Sequence, residues 1–335
     1  MKKIFLILLS LLTVFSLNGC EKWHHGTATD GIVPKDGITI VTTNFFLYDA
    51  ARTMARPEDE VIMLISPGAE SHDFELTLAD MAAIETCHLF AYVGGEGEGW
   101  VYDALDTFRD NGVEVPTFCA MEAVEEAGTL VHSAGAHDHP SDASDDHEHH
   151  HDSHWEGIDD HVWLSIPNAL VIHQALYDSL KGYYEDWYEP APDTDETGWK
   201  YRLTMLDKKF RTLTESVENP SILVADRFPF AYLTETYGIA YEAAFEGCTS
   251  DTEPSLDTVN RLIALTENLS PSRTILVTEL SDRQTASSIA AQVDGVTVAE
   301  LHSCHNVTKA DFESGVTYFD LMERNYMVLE SLWTK

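Results

Sequence analysis

Eight short runs of apolar and β-branched residues recur along the chain, and this repetition restricts the folds that it can adopt. Each run is followed by a polar turn and then by apolar residues at helical spacing. Strands that alternate with helices are typical of parallel sheets built from βαβ crossovers. The eight runs are 38–42, 61–65, 88–93, 115–119, 221–225, 240–245, 274–278 and 296–301. Four of them lie in each half of the chain, so we predict an α/β fold with two parallel-sheet lobes.

A long helix is predicted between the two halves, after the turn at 189–195, which is rich in proline and aspartate. Within 197–217, apolar residues recur at helical spacing, namely Tyr201, Leu203, Leu206, Phe210 and Leu213. The predicted boundaries are 38–194 for the first lobe, 195–219 for the linking helix and 220–335 for the second lobe. A rigid linking helix would allow less hinge bending than flexible strands. The alternative is that it is simply the last helix of the first lobe.

The first nineteen residues have the pattern of a targeting segment. Lys2 and Lys3 precede an apolar stretch, 4–17, which is short for a membrane span. The stretch ends at Leu17-Asn18-Gly19-Cys20, which is similar to a bacterial lipobox. We therefore expect 1–19 to be a lipoprotein signal peptide, Cys20 to carry the lipid, and 20–37 to be a tether on the outer face of the cell membrane. The alternative is ordinary secretion.

Charge and cysteine content exclude some partners and chemistries. The formal net charge is −37, which disfavours nucleic acid and anionic lipid surfaces and raises the local concentration of cations. Besides Cys20 there are four cysteines, which allow three pairings in an exported protein. We expect Cys248–Cys304 and Cys87–Cys119, because each pair lies within one half of the chain.

A histidine-rich segment, 132–160, gives the strongest indication of function. Eight of the sixteen histidines lie between His132 and His154, among Asp and Glu and without Lys or Arg. Imidazole and carboxylate groups suit zinc, copper or nickel. His161 follows next to the apolar pair Val162-Trp163, which predicts a histidine fixed by packing. The formal HExxH match at 147–151 requires a helix with a core face, which this segment does not offer.

Further candidate ligands follow the predicted strands. Ligands of open α/β sheets bind beyond the carboxyl ends of the strands. The candidates there, together with His161, are His72, Asp226, Glu279, His302 and His305. For each there is an ordinary structural role: isolated histidines are common in cores and on surfaces, Asp226 could pair with Arg227, and Glu279 could orient a ligand. The glycine-rich stretch 94–99 does not match GxGxxG and is interpreted as a tight turn.

Seven segments, in order along the mature chain, resemble one known family. They are VTTNFFLYD (41–49), GAESHDFELTLADM (68–81), LFAYVGG (89–95), the histidine-rich segment, DDHVWLSIPNA (159–169), ADRFPFAYLTETYG (225–238) and ELHSCHNVTKADFESGVTYFDLM (300–322). Together they resemble the zinc-binding solute-binding lipoproteins of ABC importers, the ZnuA-like cluster A-I family.

This resemblance implies a metal site between the lobes. His72 and His161 correspond to ligands of the first lobe, and His302 lies where the family commonly has an acidic ligand. The chain departs from the better-known members at Asp226-Arg227, where they carry a third histidine. The predicted metal ligands are therefore His72, His161, His302 and Asp226. The fourth ligand stays open among Asp226, Glu279 and His305.

The resulting hypothesis is a lipid-anchored receptor, not an enzyme, that captures Zn²⁺ and delivers it to an ABC permease. One alternative is a manganese or mixed-metal receptor on the same fold. Another is a secreted zinc hydrolase, for which Glu279 is the only plausible general base. An additional adhesin role is also compatible with an anchored surface domain.

Overall fold

The computed structural model describes residues 37–69, 74–133, 155–184, 198–245, 247–248 and 254–334. Its strands are β1 (Thr39–Thr42), β2 (Glu60–Met63), β3 (Leu89–Tyr92), β4 (Thr117–Cys119), β5 (Ser221–Val224), β6 (Ala240–Ala243), β7 (Thr274–Val277) and β8 (Thr297–Glu300). They form two four-stranded sheets, in the orders β2-β1-β3-β4 and β6-β5-β7-β8, with all neighbours parallel. The predicted fold class is confirmed, and each predicted strand is present with bounds that differ by at most two residues.

Helices connect the strands and cover the sheets. They are α1 (Phe45–Met54), α2 (Leu78–Thr86), α3 (Gly99–Asp110), α4 (Ala120–Glu126), α5 (Ile166–Leu180), α6 (Trp199–Glu215), α7 (Ala231–Tyr237), α8 (Leu256–Glu267), α9 (Gln284–Ala290), α10 (Lys309–Ser314) and α11 (Tyr318–Trp333). Short 3-10 turns lie at Glu96–Glu98, Val162–Leu164 and Lys181–Tyr183. No helix within the described ranges combines the length and the apolar character that crossing a bilayer requires.

Within the range predicted for the linking helix, 195–219, the structure has helix α6, Trp199–Glu215. Leu203, Leu206, Phe210 and Leu213 form its buried face. The helix packs against α5 of the first lobe and against α7 and α11. The apolar residues at helical spacing therefore belong to a helix that contacts both lobes.

The loop after β8 attaches the second lobe to the first through hydrogen bonds. The Trp163 indole Nε1 donates to the Ser303 carbonyl at 2.7 Å, and the Phe45 amide donates to the His305 carbonyl at 2.9 Å. The Tyr318 hydroxyl, at the start of α11, donates to the Trp163 carbonyl at 2.5 Å. These groups are buried, apart from the partly exposed His305, so the loop is held closely against α1 and the turn at Val162–Leu164.

Both predicted disulfides are wrong. None of Cys87, Cys119, Cys248 and Cys304, the cysteines in the described ranges, takes part in a disulfide. Cys119 ends β4 and pairs in register with Tyr92, whereas Cys87 lies five residues before Tyr92. At about 3.3 Å per residue these two cysteines are roughly 16 Å apart along the sheet, far beyond the roughly 6 Å that a disulfide spans.

The second pair fails for a related reason. Cys248 follows β6 and Cys304 follows β8, and these are the two edge strands of the second sheet. Three strand spacings, roughly 14 Å, separate these two strands. Cys304 is also completely buried. Location in the same half of the chain was therefore not a sufficient criterion for pairing.

Candidate metal centre

The segment that leads into His161 is fixed by backbone hydrogen bonds. His132 and Ile158 form an antiparallel bridge, and the Asp159 amide donates to the Val131 carbonyl at 2.9 Å. After this bridge the chain passes His161 and enters the buried turn Val162–Leu164. The sequence prediction of a histidine anchored by packing is confirmed, because His161 is only 1 % exposed.

Two carboxylates orient the His161 imidazole. Its Nδ1 lies 3.1 Å from Asp159 Oδ1 and 3.0 Å from Asp160 Oδ1, and Asp159 Oδ1 also accepts the His161 amide. The Nδ1 proton is thus directed to the carboxylates, which leaves the opposite nitrogen, Nε2, as the metal-binding atom. This carboxylate–histidine arrangement is the usual support of a zinc-bound histidine.

Asp159, Asp160 and His161 have ligand atoms within 4.8 Å of one another. We interpret this cluster as the orienting group of a ligand rather than as a complete site. The reason is that Nδ1, the ring nitrogen that faces both carboxylates, donates a hydrogen bond to them. A metal ion between these atoms would have to displace that proton.

The pKa of His161 reflects these neighbours. Burial disfavours the charged imidazole, but Asp160 and Asp159 outweigh burial and hold the pKa of His161 well above its usual value. Burial also raises the pKa of Asp159, an effect that the charge of His161 opposes. Without metal, His161 is therefore a cation between two acidic side chains, and a metal ion would replace its Nε2 proton.

His305 faces His161 from the second lobe. The two ring centroids are 5.6 Å apart with an interplanar angle of 77°. Two imidazoles bound to one tetrahedral zinc at about 2.0–2.1 Å have centroids roughly 5 Å apart, so the separation of these two rings is close to that of a shared ion. Trp163 completes a triangle of rings, with centroids 5.4 Å from those of both histidines.

The backbone of the loop after β8 brings His305 into this position. Cys304 has a positive φ of 59°, an uncommon conformation for a residue other than glycine, asparagine or aspartate. Ser303 Oγ accepts the His305 amide at 3.2 Å. The reversal of the chain at Cys304 thereby separates the directions of His302 and His305, although they are three residues apart.

The hydrogen bonds of His302 stabilise the loop after β8. It is buried, and its Nδ1 accepts the Cys304 amide at 2.9 Å. Its backbone amide donates to Asn325 Oδ1 at 2.7 Å, and the Asn325 Nδ2 donates to its carbonyl at 2.8 Å. With Nδ1 acting as acceptor, the proton of the neutral ring is on Nε2. Neither ring nitrogen then offers a lone pair to a metal.

The two carboxylates predicted as candidates also have structural partners. Asp226 Oδ2 accepts the Thr278 hydroxyl at 3.0 Å and its amide at 3.2 Å, while Oδ1 accepts the Arg227 amide at 2.9 Å. Asp226 thus joins the ends of β5 and β7. Both Glu279 oxygens accept hydrogen bonds from Ser303, one from its amide and one from its hydroxyl.

His72 lies outside the described residues, so its predicted role stays a prediction. The segment that precedes it is attached to the loop bearing His305. The Asn306 Nδ2 donates to the carbonyls of Ser66 and Ala69 at 2.9 and 2.8 Å, and the Gly68 amide donates to the Val307 carbonyl at 2.7 Å. Chain segments from both lobes therefore meet on the side of the sheets where the strands end.

Sequence reasoning missed the residues that hold His161 in place. Asp159 and Asp160 were treated only as part of an acidic context, although two acidic residues directly before a predicted anchored histidine could have indicated an orienting role. The glycine-rich turn was predicted to be tight, and its conformation confirms this, with positive φ at Gly94 and Gly95. Its contact with Asp160 was not foreseen.

The chain is similar to known proteins of one family. Residues 40–332 match the model of the ZnuA family, described as zinc-uptake complex component A, periplasmic. The chain belongs to this family. One relative is the zinc-binding protein AdcA of Streptococcus pyogenes, which is 28 % identical over 334 residues covering 98 % of this chain. The high-affinity zinc uptake system protein ZnuA of Bacillus subtilis is 24 % identical over 303 residues, which cover 88 % of this chain and 87 % of that protein.

Solved structures of the family have the same fold. Zn(II)-bound AdcA from Streptococcus pneumoniae superposes with a TM-score of 0.65 at 25 % identity, over 89 % of this chain and 58 % of that one. The match to Streptococcus pyogenes AdcA covers 61 % of that protein. This chain therefore corresponds to part of the AdcA proteins.

Proposed function

We propose that this chain is an extracytoplasmic receptor that binds one Zn²⁺ between its lobes and delivers it to the permease of an ABC importer. The observation that carries the proposal is the orientation of His161 by Asp159 and Asp160 opposite the ring of His305. Membership of the zinc-uptake family and the names of the relatives support the same function.

The proposed ligands are His161 through Nε2, His305 and, from the first lobe, His72. The hydrogen bonds of His302 and Asp226 favour His305 over these two predicted ligands. A set of imidazole nitrogens suits zinc, whereas manganese is usually bound by more oxygen ligands. The donor chemistry therefore supports zinc over the manganese alternative.

A binding role without catalysis fits the surroundings of Glu279. A zinc hydrolase needs a general base that can take a proton from metal-bound water. Both oxygens of Glu279 are held by Ser303, which leaves this carboxylate poorly placed for that task. Anchoring through a lipid on Cys20 and transfer to a permease are parts of the same proposal, supported by the leader-like residues 1–19 and by the family.

Zinc titration of the mature chain, expected to start at Cys20, tests the proposal. In competition with a chelator of known affinity, we expect one tight equivalent and several weaker ones from the histidine-rich segment. Addition of Mn²⁺ to the zinc-loaded protein should displace little metal. Absence of a tight zinc equivalent would refute the proposal, and preferential retention of Mn²⁺ would support a manganese receptor instead.

A further inference from the structure

The glycine-rich turn after β3 lies against the segment that carries His161. Gly94 approaches Trp155, such that a Cβ atom on Gly94 would be 3.2 Å from that indole. The Gly157 amide donates to Glu96 Oε1 at 3.3 Å. Gly95 and Gly97 both face Asp160. The turn at 94–98 therefore follows the segment from Trp155 to Asp160 along its length.

Asp160 occupies space that exists only because these positions are glycines. A Cβ on Gly95 would lie 2.9 Å from the Asp160 Cβ, and a Cβ on Gly97 would overlap Asp160 Oδ2. The other oxygen of the same carboxylate, Oδ1, is 3.0 Å from His161 Nδ1. One side of the carboxylate thus rests on the turn while the other contacts the imidazole.

The turn is held in place by hydrogen bonds to the Glu98 carboxylate. Glu98 is buried, and its Oε2 accepts the amides of Val93 at 2.7 Å and Gly94 at 2.9 Å. These bonds connect the far end of the turn to the end of β3. Gly97 is consequently not free to move away when a larger side chain is introduced, whereas the Asp160 carboxylate can rotate.

We propose that the turn formed by residues 94–98 is a positioning element for the metal ligand His161, acting through the Asp160 carboxylate that it seats. The inference rests on the proposed zinc-binding function and extends it to residues that touch no metal. Gly97 provides the room, Asp160 fixes the imidazole through Nδ1, and Nε2 is thereby directed toward the space shared with His305. Loss of an outer partner of a zinc-bound histidine typically lowers metal affinity about 10–100-fold.

Two glycines of this region provide a matched pair of variants. A methyl group at Gly97 meets the Asp160 carboxylate, whereas a methyl group at Gly99 meets nothing within 4 Å. Gly99 has a helical φ of −51° and is the first residue of α3, so alanine is tolerated there. Gly97→Ala should weaken zinc binding of the mature chain about 10–100-fold. Gly99→Ala should change it by less than about twofold.

A double-mutant cycle determines whether the effect passes through Asp160. In an Asp160→Ala background there is no carboxylate for the new methyl group to displace, so Gly97→Ala should cause no further loss. Asp160→Asn retains an acceptor for the Nδ1 proton and should restore part of the affinity lost in Asp160→Ala. If the losses of Gly97→Ala and Asp160→Ala simply add, or if Gly97→Ala behaves like Gly99→Ala, the proposal is wrong.

A measurement on the metal-free protein separates this proposal from the proposed function. The His161 Nδ1 proton, hydrogen bonded and buried, should give a slowly exchanging NMR signal in the wild type and in Gly99→Ala. In Gly97→Ala the signal should move upfield and exchange faster, because Nδ1 keeps only Asp159 Oδ1 as its acceptor. If the wild type fails to bind zinc but this pattern is found, only the zinc-receptor function is refuted. If the signal in Gly97→Ala keeps the wild-type chemical shift and exchange rate, the positioning role is refuted whatever the zinc affinity.

Discussion

The rings of His161 and His305 face each other across the boundary between the lobes, with centroids 5.6 Å apart. His161 enters from the first lobe with its Nδ1 held by two carboxylates. His305 enters from a loop of the second lobe whose backbone is fixed by Phe45 and Trp163. A metal ion bound by both rings would therefore bridge the two lobes of the molecule.

Replacing either facing histidine should abolish tight zinc binding. We expect His161→Ala and His305→Ala each to weaken the tight equivalent more than about 100-fold, beyond the effect of losing an outer partner. His302→Ala is the comparison, because the Nδ1 of His302 accepts the Cys304 amide. This variant should lower the free energy of unfolding and have a smaller effect on the zinc affinity. Chelator competition measures the affinity. Retention of tight binding in His305→Ala together with its loss in His302→Ala would instead support His302 as the ligand.

Zinc binding at pH 7 should release protons, because Asp160 and Asp159 outweigh burial and hold the pKa of His161 well above its usual value. The metal binds neutral imidazole, so the proton must leave and affinity should fall as the pH decreases through this raised pKa. Calorimetry in two buffers with different ionisation enthalpies measures the number of protons. Asp160→Asn should release fewer protons than the wild type at the same pH. Equal release by the two proteins would contradict this account of His161.

Glu98 should make the metal-free protein less stable as the pH rises. Burial, together with repulsion from Asp160, raises the pKa of Glu98 to about 7, although bonds from the amides of Gly94 and Val93 oppose the shift. The folded state thus favours the protonated form. The stability that protonated Glu98 contributes to the fold is fully present below the unfolded pKa of about 4.3. It is lost as the pH rises through about 7.

Glu98→Gln tests this because glutamine stays neutral. As the pH rises from 5 to 8, the free energy of unfolding of the variant should increase by about 2–4 kcal/mol relative to that of the wild type. Urea unfolding of the metal-free protein measures this difference. Glu96→Gln, an exposed position in the same turn, should differ from the wild type by less than about 0.5 kcal/mol at both pH values. A pH-independent difference for Glu98→Gln would contradict the prediction.

The contact between Tyr318 and Trp163 should stabilise the junction of α11 with the first lobe. Tyr318→Phe removes the hydroxyl that donates to the buried Trp163 carbonyl and should cost about 1–3 kcal/mol, because the carbonyl loses its partner. Tyr326→Phe removes a hydroxyl bonded to the exposed Glu330 and should cost less than about 0.5 kcal/mol. Urea unfolding compares the two variants. Equal losses would show that the junction gains nothing from the Tyr318 hydroxyl.

Residues 134–154 of the histidine-rich segment should be dispensable for the tight site. The Ser133 amide donates to the Gly157 carbonyl at 2.9 Å, and His132 bridges to Ile158. Because these two ends are adjacent, a short Gly-Ser linker in place of 134–154 should leave His161 in position. Calorimetry should then show the tight zinc equivalent retained and the weaker equivalents lost. Loss of the tight equivalent would mean that the segment contributes a ligand to the central site.

The strands, the helices and the capping of α2 could be predicted because they depend on local spacing. Alternation of apolar residues and helical periodicity follow directly from backbone geometry. Thr77 and Asp80 form a capping box within four residues, with the Asp80 amide 3.2 Å from Thr77 Oγ1. His161 was likewise predictable as an anchored histidine, because the apolar residues that bury it follow it directly in the chain.

The disulfides and the partner of His161 were decided by distant contacts. Cys87 and Cys119 lie in one half of the chain but at opposite ends of neighbouring strands. His302 and His305 are equally suitable by residue type and lie three residues apart. Competition for hydrogen bonds distinguishes them, because the Cys304 amide occupies the Nδ1 of His302 while the turn at Cys304 directs His305 toward Trp163.

By itself, then, the sequence determined a two-lobed α/β fold and an abundance of ligands for a transition metal, since both follow from local pattern and composition. Only the tertiary structure decided that Asp159, Asp160 and the turn at 94–98 fix His161, and that His305 is the second-lobe histidine facing it. The physical reason is that a ligand's orientation depends on which donors, acceptors and free space surround it, and these come from residues far apart in the chain.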